Sequence, residues 1–295
     1  MNELLHLEGV SKAFGRVQAL RSVDLSVGRG EIVGFVGPNG AGKSTCMRIC
    51  VGIVDRDAGT VRALDRDPRR DPIAIRSHCG YLPGETSLYR NATGHEFLQF
   101  AYGGYSVRPE IIDLAPELFD LPLHRRIREY SAGMKQRLAL RATLPLDTEL
   151  FLLDEPDRAI DASARLSLRQ VLLALAAEGR GILLSSHHLS EVEAIADRTV
   201  FLLEGQRVPT EALRAAREQL RSDVRLRLAR EIDLPGGTTL VERLPGGTLR
   251  VVTEGDPIAW LSRIPATDIV AAEVGATRLE DLYRVLTERG TEVTP

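Results

Sequence analysis

Residues 37–45 read Gly-Pro-Asn-Gly-Ala-Gly-Lys-Ser-Thr, between the apolar run Ile32–Val36 and a segment of helical spacing. A glycine-rich loop joining a strand to a helix restricts the chain to α/β folds that bring a helix N-terminus to an anion. Gly37, Gly40 and Gly42 allow tight turning, so that backbone amides of the loop, Pro38, Asn39 and Ala41 included in its course, can surround phosphates. Lys43 would reach the β/γ-phosphates of a nucleotide. Ser44 would offer its hydroxyl to Mg²⁺, and Thr45 closes the cradle.

Bulk properties bound the rest. A chain of 295 residues accommodates one large α/β domain and a smaller one. A net charge of −3 gives no general attraction to nucleic acid, so no nucleic-acid partner is expected. No run approaches the ~20 apolar residues needed to span a bilayer, and the N-terminus lacks a signal-peptide core, so a cytoplasmic location is expected. Cys46, Cys50 and Cys79 form no CxxC pair, which favours packed thiols over disulfides or zinc. Cys46 follows the loop directly, making it a candidate for a thiol reagent that blocks nucleotide binding.

Period-two patterning in the first ten residues and at Val23–Val27 predicts half-buried strands, hence an antiparallel flank. Phe151–Leu153 and Ile182–Leu184 are short, wholly apolar and followed at once by polar residues, as in central parallel strands whose ends carry a site. Between them, residues 162–177 have helical spacing, with leucines at 166, 168, 172, 173 and 175, ended by Gly179. Thr199–Leu203 reads as a further strand, closed by a turn at Glu204-Gly205. The stretch 89–129, interrupted by Gly103-Gly104, Pro109, Pro116 and Pro122, reads as short helices; with the following segment it makes a helical subdomain over about 89–145.

After Pro209 the pattern changes to an arginine-rich helix and a period-two strand at Val224–Leu228. Leu-Pro-Gly-Gly-Thr occurs at 234–238 and again at 244–248, each copy a turn before a strand. Thr277-Arg278-Leu279-Glu280 is a capping box ahead of Leu282, Tyr283 and Leu286 on one helical face. Residues 209–295 are therefore expected to form a small α+β domain beside a domain spanning 1–208.

Asp154 and Glu155 follow Phe151–Leu153, where a buried strand would deliver two carboxylates to the phosphate crevice: one to hold a metal ion, the other to polarise an attacking water. Ser131 and Gly133, in Tyr-Ser-Ala-Gly-Met at 130–134, precede a helical stretch and suggest either a cap or an anion contact.

Loop, Tyr-Ser-Ala-Gly-Met, Asp-Glu-Pro and Ser-Ser-His occur in that order, and over residues 1–208 the chain resembles the nucleotide-binding subunit of ATP-binding cassette (ABC) transporters, particularly the ATPase component of ABC-2 type exporters. The resemblance implies a P-loop NTPase cassette with a mostly parallel central sheet, an antiparallel β flank and a helical subdomain. It implies ATP and Mg²⁺ as ligands, with ATP sandwiched between two cassettes, the loop of one facing Ser131 and Gly133 of the other. By position, Phe14 corresponds to the aromatic that stacks on adenine, Asp154 to the Mg²⁺-side carboxylate and Glu155 to the residue activating water. His187, directly after the strand and so favoured over His188, corresponds to the histidine that contacts the γ-phosphate. Asp161 corresponds to the loop crossing the dimer interface.

Departures from the family pattern accompany these matches. Tyr130, Ala132 and Met134 replace the first, third and fifth residues of Leu-Ser-Gly-Gly-Gln. Gly84-Glu85 stands where many members carry a metal-contacting Gln, and Asp157, Arg158 and Ala159 replace Thr-Asn-Gly; slow hydrolysis is compatible with these changes. With no membrane span of its own, the chain implies a separate transmembrane permease, docked near 84–105, and a place on the inner face of the membrane. A soluble non-transport ABC ATPase and a weakly hydrolysing regulatory cassette are the alternatives.

Overall fold

The computed structural model describes residues 3–85, 88–275 and 278–292. The chain divides into two compact units, Met1–Arg207 and Val208–Pro295.

In the first unit, β1 (Glu3–Phe14), β2 (Val17–Gly28) and β4 (Ala58–Ala63) form an antiparallel sheet in the order β2-β1-β4. Leu5, Leu7, Val10, Leu20, Val23, Leu25 and Val27 turn inward from it, so the alternation at Val23–Val27 is the visible part of two much longer strands with several register shifts. The six-stranded sheet runs β5-β6-β7-β3-β8-β9, built from β3 (Ile32–Val36), β5 (Cys79–Leu82), β6 (Leu150–Asp154), β7 (Gly181–Ser185), β8 (Arg198–Leu203) and β9 (Gln206–Arg207). All neighbours are parallel except β8 and β9. Every residue of β3, β6 and β7 is buried, which is why these strands read as unbroken apolar runs.

Among the described residues, eight α-helices accompany these sheets: α1 (Lys43–Cys50), α2 (Pro72–Arg76), α3 (Gly94–Ala101), α4 (Pro109–Leu114), α5 (Pro116–Phe119), α6 (Ala132–Thr143), α7 (Ala162–Ala177) and α8 (Leu189–Ile195). The prolines foreseen as interruptions start α4 and α5, where a missing N–H costs nothing. Thr93 and Glu96 close a capping box on α3. On α7, Leu168, Leu172 and Leu175 pack against the sheet, whereas Leu166 and Leu173 are exposed: the leucine count overstated the buried face.

The second unit is an antiparallel sheet in the order β11-β12-β10-β13, from β10 (Asp223–Leu228), β11 (Thr238–Leu244), β12 (Thr248–Thr253) and β13 (Ile269–Val274). With it go α9 (Thr210–Arg221), α10 (Pro257–Leu261) and α11 (Leu279–Glu292), α9 packing on α11. Val224, Leu226, Val251, Trp260 and Ile264 form its core. The capping residue Thr277 lies outside the described residues.

Candidate nucleotide-binding site

The loop between β3 and α1 takes its shape from contacts that exclude side chains at two glycines. A Cβ on Gly37 would lie 2.2 Å from the carbonyl oxygen of Leu202. Gly42 has φ +105°, open only to glycine, and its Cβ would lie 2.3 Å from the carbonyl oxygen of Ala19. The Gly205 amide donates to the Ala41 carbonyl at 3.1 Å, fastening the loop to the β8–β9 turn. Lys43 is buried, and its Nζ donates to the carbonyls of Gly37 at 2.6 Å and Pro38 at 3.1 Å. Burial holds its ammonium below the ordinary lysine range, an effect partly offset by the charges of Asp154 and Glu155.

Two open clefts meet here. One, of about 300 Å³, is lined by Asn39–Thr45, by Val17–Ala19 and Arg21 of β2, and by Glu155 and Glu204. The other, of about 440 Å³, is lined by Asn39, Ser44, Arg48, Gly84, Glu85, Asp154, Glu155, Arg158 and His187. The ends of β3, β6 and β7 thus bring Lys43, Ser44, Asp154, Glu155 and His187 together.

Asp154 is 1% exposed. Its Oδ1 accepts from Ser185 Oγ at 2.7 Å, while its Oδ2 is buried without a partner among the described residues, an open acceptor in the cleft that Ser44 also lines. A hydroxyl and an unsatisfied carboxylate oxygen facing one cleft fit a magnesium ion that keeps most of its waters. Glu155 has φ +52°, an uncommon backbone state for a non-glycine residue. Its amide is held by the Ser185 carbonyl and Oγ, each at 3.1 Å, and its carbonyl accepts from Gln136 Nε2 of α6 at 3.2 Å. The carboxylate Oε1 lies 2.5 Å from His187 Nε2. His188 faces elsewhere, its Nε2 2.9 Å from Arg165 Nη1.

The remaining predicted residues do not line these two clefts. Ser131 caps α6, accepting from the Met134 amide at 3.2 Å. Gly133 lies against the turn after Glu155: a Cβ there would be 2.7 Å from the Ala159 carbonyl oxygen. Tyr130 is buried, its hydroxyl donating to the Pro122 carbonyl at 2.9 Å, so this departure from the family pattern is a core residue of the helical subdomain. Asp161 caps α7 through the Ala164 amide at 2.8 Å. Phe14 is half-exposed at the end of the β1–β2 hairpin, with Lys12 Nζ 5.2 Å from its ring centroid. Cys46 is fully buried, so the expectation of a thiol reagent acting there is withdrawn. The hydrogen bond with Cys46, and then burial, push the Cys50 thiol well up, and burial alone raises Cys79 to about 12.

Sequence reasoning missed Ser185, Gln136, Glu204 and the Arg158–Gly84 contact. Ser185 was visible as the end of an apolar strand. Gln136 and Arg158 meet partners 19 and 74 residues away, and Glu204 enters the phosphate-loop cleft from the β8–β9 turn, separations that leave no local pattern.

The family description "ABC transporter" matches residues 20–158. A lantibiotic transport ATP-binding protein of Streptococcus pyogenes is 33% identical over 208 residues, covering 69% of this chain and 88% of the relative. The chain belongs to the ABC transporter ATP-binding family. It is accordingly an ABC-type ATP hydrolase, and its fold is the ABC ATPase cassette. An ABC transporter ATP-binding protein of Nostoc is 37% identical over 201 residues; that match spans 65% of this chain but 59% of the relative. A daunorubicin resistance ATP-binding protein of Streptomyces coeruleorubidus is 29% identical over 97% of this chain and 88% of its own length, so the likeness extends into the second unit. Among solved structures, an ATP-binding subunit of an ABC transporter superposes with a TM-score of 0.64 at 29% identity, over 72% of this chain and 92% of that one. No helix among the described residues is long and apolar enough to cross a membrane.

Proposed function

We propose that this chain is the engine of an exporter, two copies closing around two ATP molecules and thereby moving a separate transmembrane permease. Lys43 takes the terminal phosphates of ATP, exchanging its two neutral carbonyl acceptors for an anion, with the N-terminus of α1 adding amide donors. Ser44 and Asp154 hold Mg²⁺, which when bound neutralises charge developing on the phosphoryl oxygens. Glu155 accepts a proton from the attacking water, and His187 aims that carboxylate and contacts the γ-phosphate. Phe14 stacks on adenine. The partner cassette supplies its own Ser131 and Gly133, and Asp161 lies along the seam. Closure does the mechanical work; hydrolysis reopens the pair.

The observation that carries this reading is a separation. Lys43, Ser44, Asp154, Glu155 and His187 share the clefts at the strand ends, whereas the helix-cap pair Ser131 and Gly133 does not line them. A second chain can complete such a site. The resistance and transport functions in the names of the relatives support export, and with it a position at the cytoplasmic face of a membrane beside a permease.

Comparison of the wild-type chain with Glu155→Gln tests the proposal. Wild type should hydrolyse ATP, whereas Glu155→Gln should retain ATP, lose turnover ~10²-fold or more, and accumulate as a dimer with ATP and Mg²⁺. A variant that stays monomeric under those conditions contradicts the sandwich.

A further inference from the structure

The turn after β6 is gripped from three sides. Ser185 of β7 holds the Glu155 amide. Gln136 of α6 donates to the carbonyls of Glu155 and Pro156, at 3.2 and 3.0 Å. The third grip runs outward: Arg158, whose amide closes the turn onto the Glu155 carbonyl at 3.2 Å, extends its guanidinium across the cleft and donates from Nη1 to the carbonyl of Gly84 at 3.1 Å.

Gly84 lies over Asp154. A Cβ at this position would come within 3.0 Å of Asp154 Oδ2 and 3.2 Å of its Cγ, so the Gly84 backbone faces, across room for little more than a methyl group, the oxygen of that carboxylate that has no partner among the described residues. A side chain here would crowd the Asp154 carboxylate, and Gly84, with only backbone groups, needs a partner to fasten it to the turn. The Arg158 guanidinium does so, and its partner is a neutral carbonyl placed 74 residues away in sequence.

We propose that Arg158 is a positioning residue for ATP hydrolysis, tethering the Gly84 loop to the Asp154–Glu155 turn so that the metal side of the site keeps its shape and Glu155 stays aimed. The inference rests on the ATPase reading of that site. It acts on chemistry more than on nucleotide capture, because Lys43 and the phosphate loop make no use of the clamp.

Two variants, Arg158→Met and Arg158→Lys, and two measurements test it. In the nucleotide-free full-length protein, Arg158→Met should speed amide exchange in the peptide containing Gly84 by ~10-fold or more, since local opening loses its tether. Exchange in the peptide containing Lys43 should stay as in wild type. In steady-state hydrolysis, Arg158→Met should lower kcat ~10-fold or more with KM within about 2-fold, and Arg158→Lys, which keeps a donor, should recover part of kcat. Unchanged exchange at Gly84 overturns the clamp. Unchanged kcat, or a kcat loss in Arg158→Met that Arg158→Lys does not relieve, overturns the positioning role. A wild-type chain without ATP turnover refutes the function proposed above, whereas the exchange measurement still decides whether Arg158 holds the loop.

Discussion

His187 Nε2 and Glu155 Oε1 meet at 2.5 Å across the ends of β7 and β6, the carboxylate largely buried and the imidazole nearly half-exposed. The strained turn at Glu155 and the polar residues directly after β7 exist to bring these groups together, and His188 next in the chain is turned toward Arg165 instead. Replacing His187 with Ala should therefore lower ATP turnover ~10²-fold while leaving nucleotide affinity within a few-fold, because the carboxylate loses its orienting partner and the γ-phosphate one contact, while Lys43 and the phosphate loop are untouched. Equal activity in His187→Ala, with His188→Ala inactive, would transfer the role to the other histidine. Single-turnover hydrolysis and an equilibrium binding titration separate the two quantities.

Lys43 is held below its ordinary value by burial, so the unfolded chain binds more protons than the native one as pH rises through the lowered value toward 10.5. Native stability limited by that buried charge must then improve with pH in this window. Relative to Lys43→Met, which has no proton to lose, the wild type should gain stability between neutral pH and pH about 10, as read from urea midpoints. The same substitution should abolish the thermal stabilisation by ATP that binding to the native state confers. A stability gap independent of pH would show that Lys43 carries no such penalty.

Asp67 sits under Arg56, whose Nη1 and Nη2 each donate to it at 2.9 Å, and this pairing holds its carboxyl down at about 2. A depressed carboxylate stabilises the fold above its unfolded value, near 3.8, and loses that contribution as pH falls through about 2. Asp67→Asn should cost about 1 kcal/mol at pH 7, after allowance for partial exposure, and only a small fraction of that at pH about 2. Denaturant midpoints of both proteins from pH 2 to pH 6 measure this directly; a constant difference would contradict it.

Much of the fold was legible because burial and composition coincide. β3, β6 and β7 are buried at every residue, so their apolar runs end where the polar site residues begin. α7 was bounded by Asp161, its cap, and by Gly179 at φ +87° just beyond its end. β4 passed unnoticed: only Val61 and Ala63 of its six residues are buried, too few for a period to show. β9 is two exposed residues defined by pairing with β8. Within the site, the phosphate loop and Asp154-Glu155 are contiguous in sequence and could be read. Gln136 and Glu204 reach the site only through tertiary contacts. Gly84 and Arg158 stood out as departures from the family pattern, but the hydrogen bond that joins them spans 74 residues and leaves no local trace.

The central claim, a nucleotide site completed by two chains, is tested most directly by mixing two inactive proteins, Lys43→Ala and Ser131→Arg. Each alone should hydrolyse no ATP, since in a homodimer both composite sites carry the lesion. A heterodimer pairs the intact Lys43 of one chain with the intact Ser131 of the other and regains one whole site. The account predicts that mixing restores ATP turnover to a substantial fraction of one wild-type site. Two folded variants that dimerise with each other and remain inactive would contradict it.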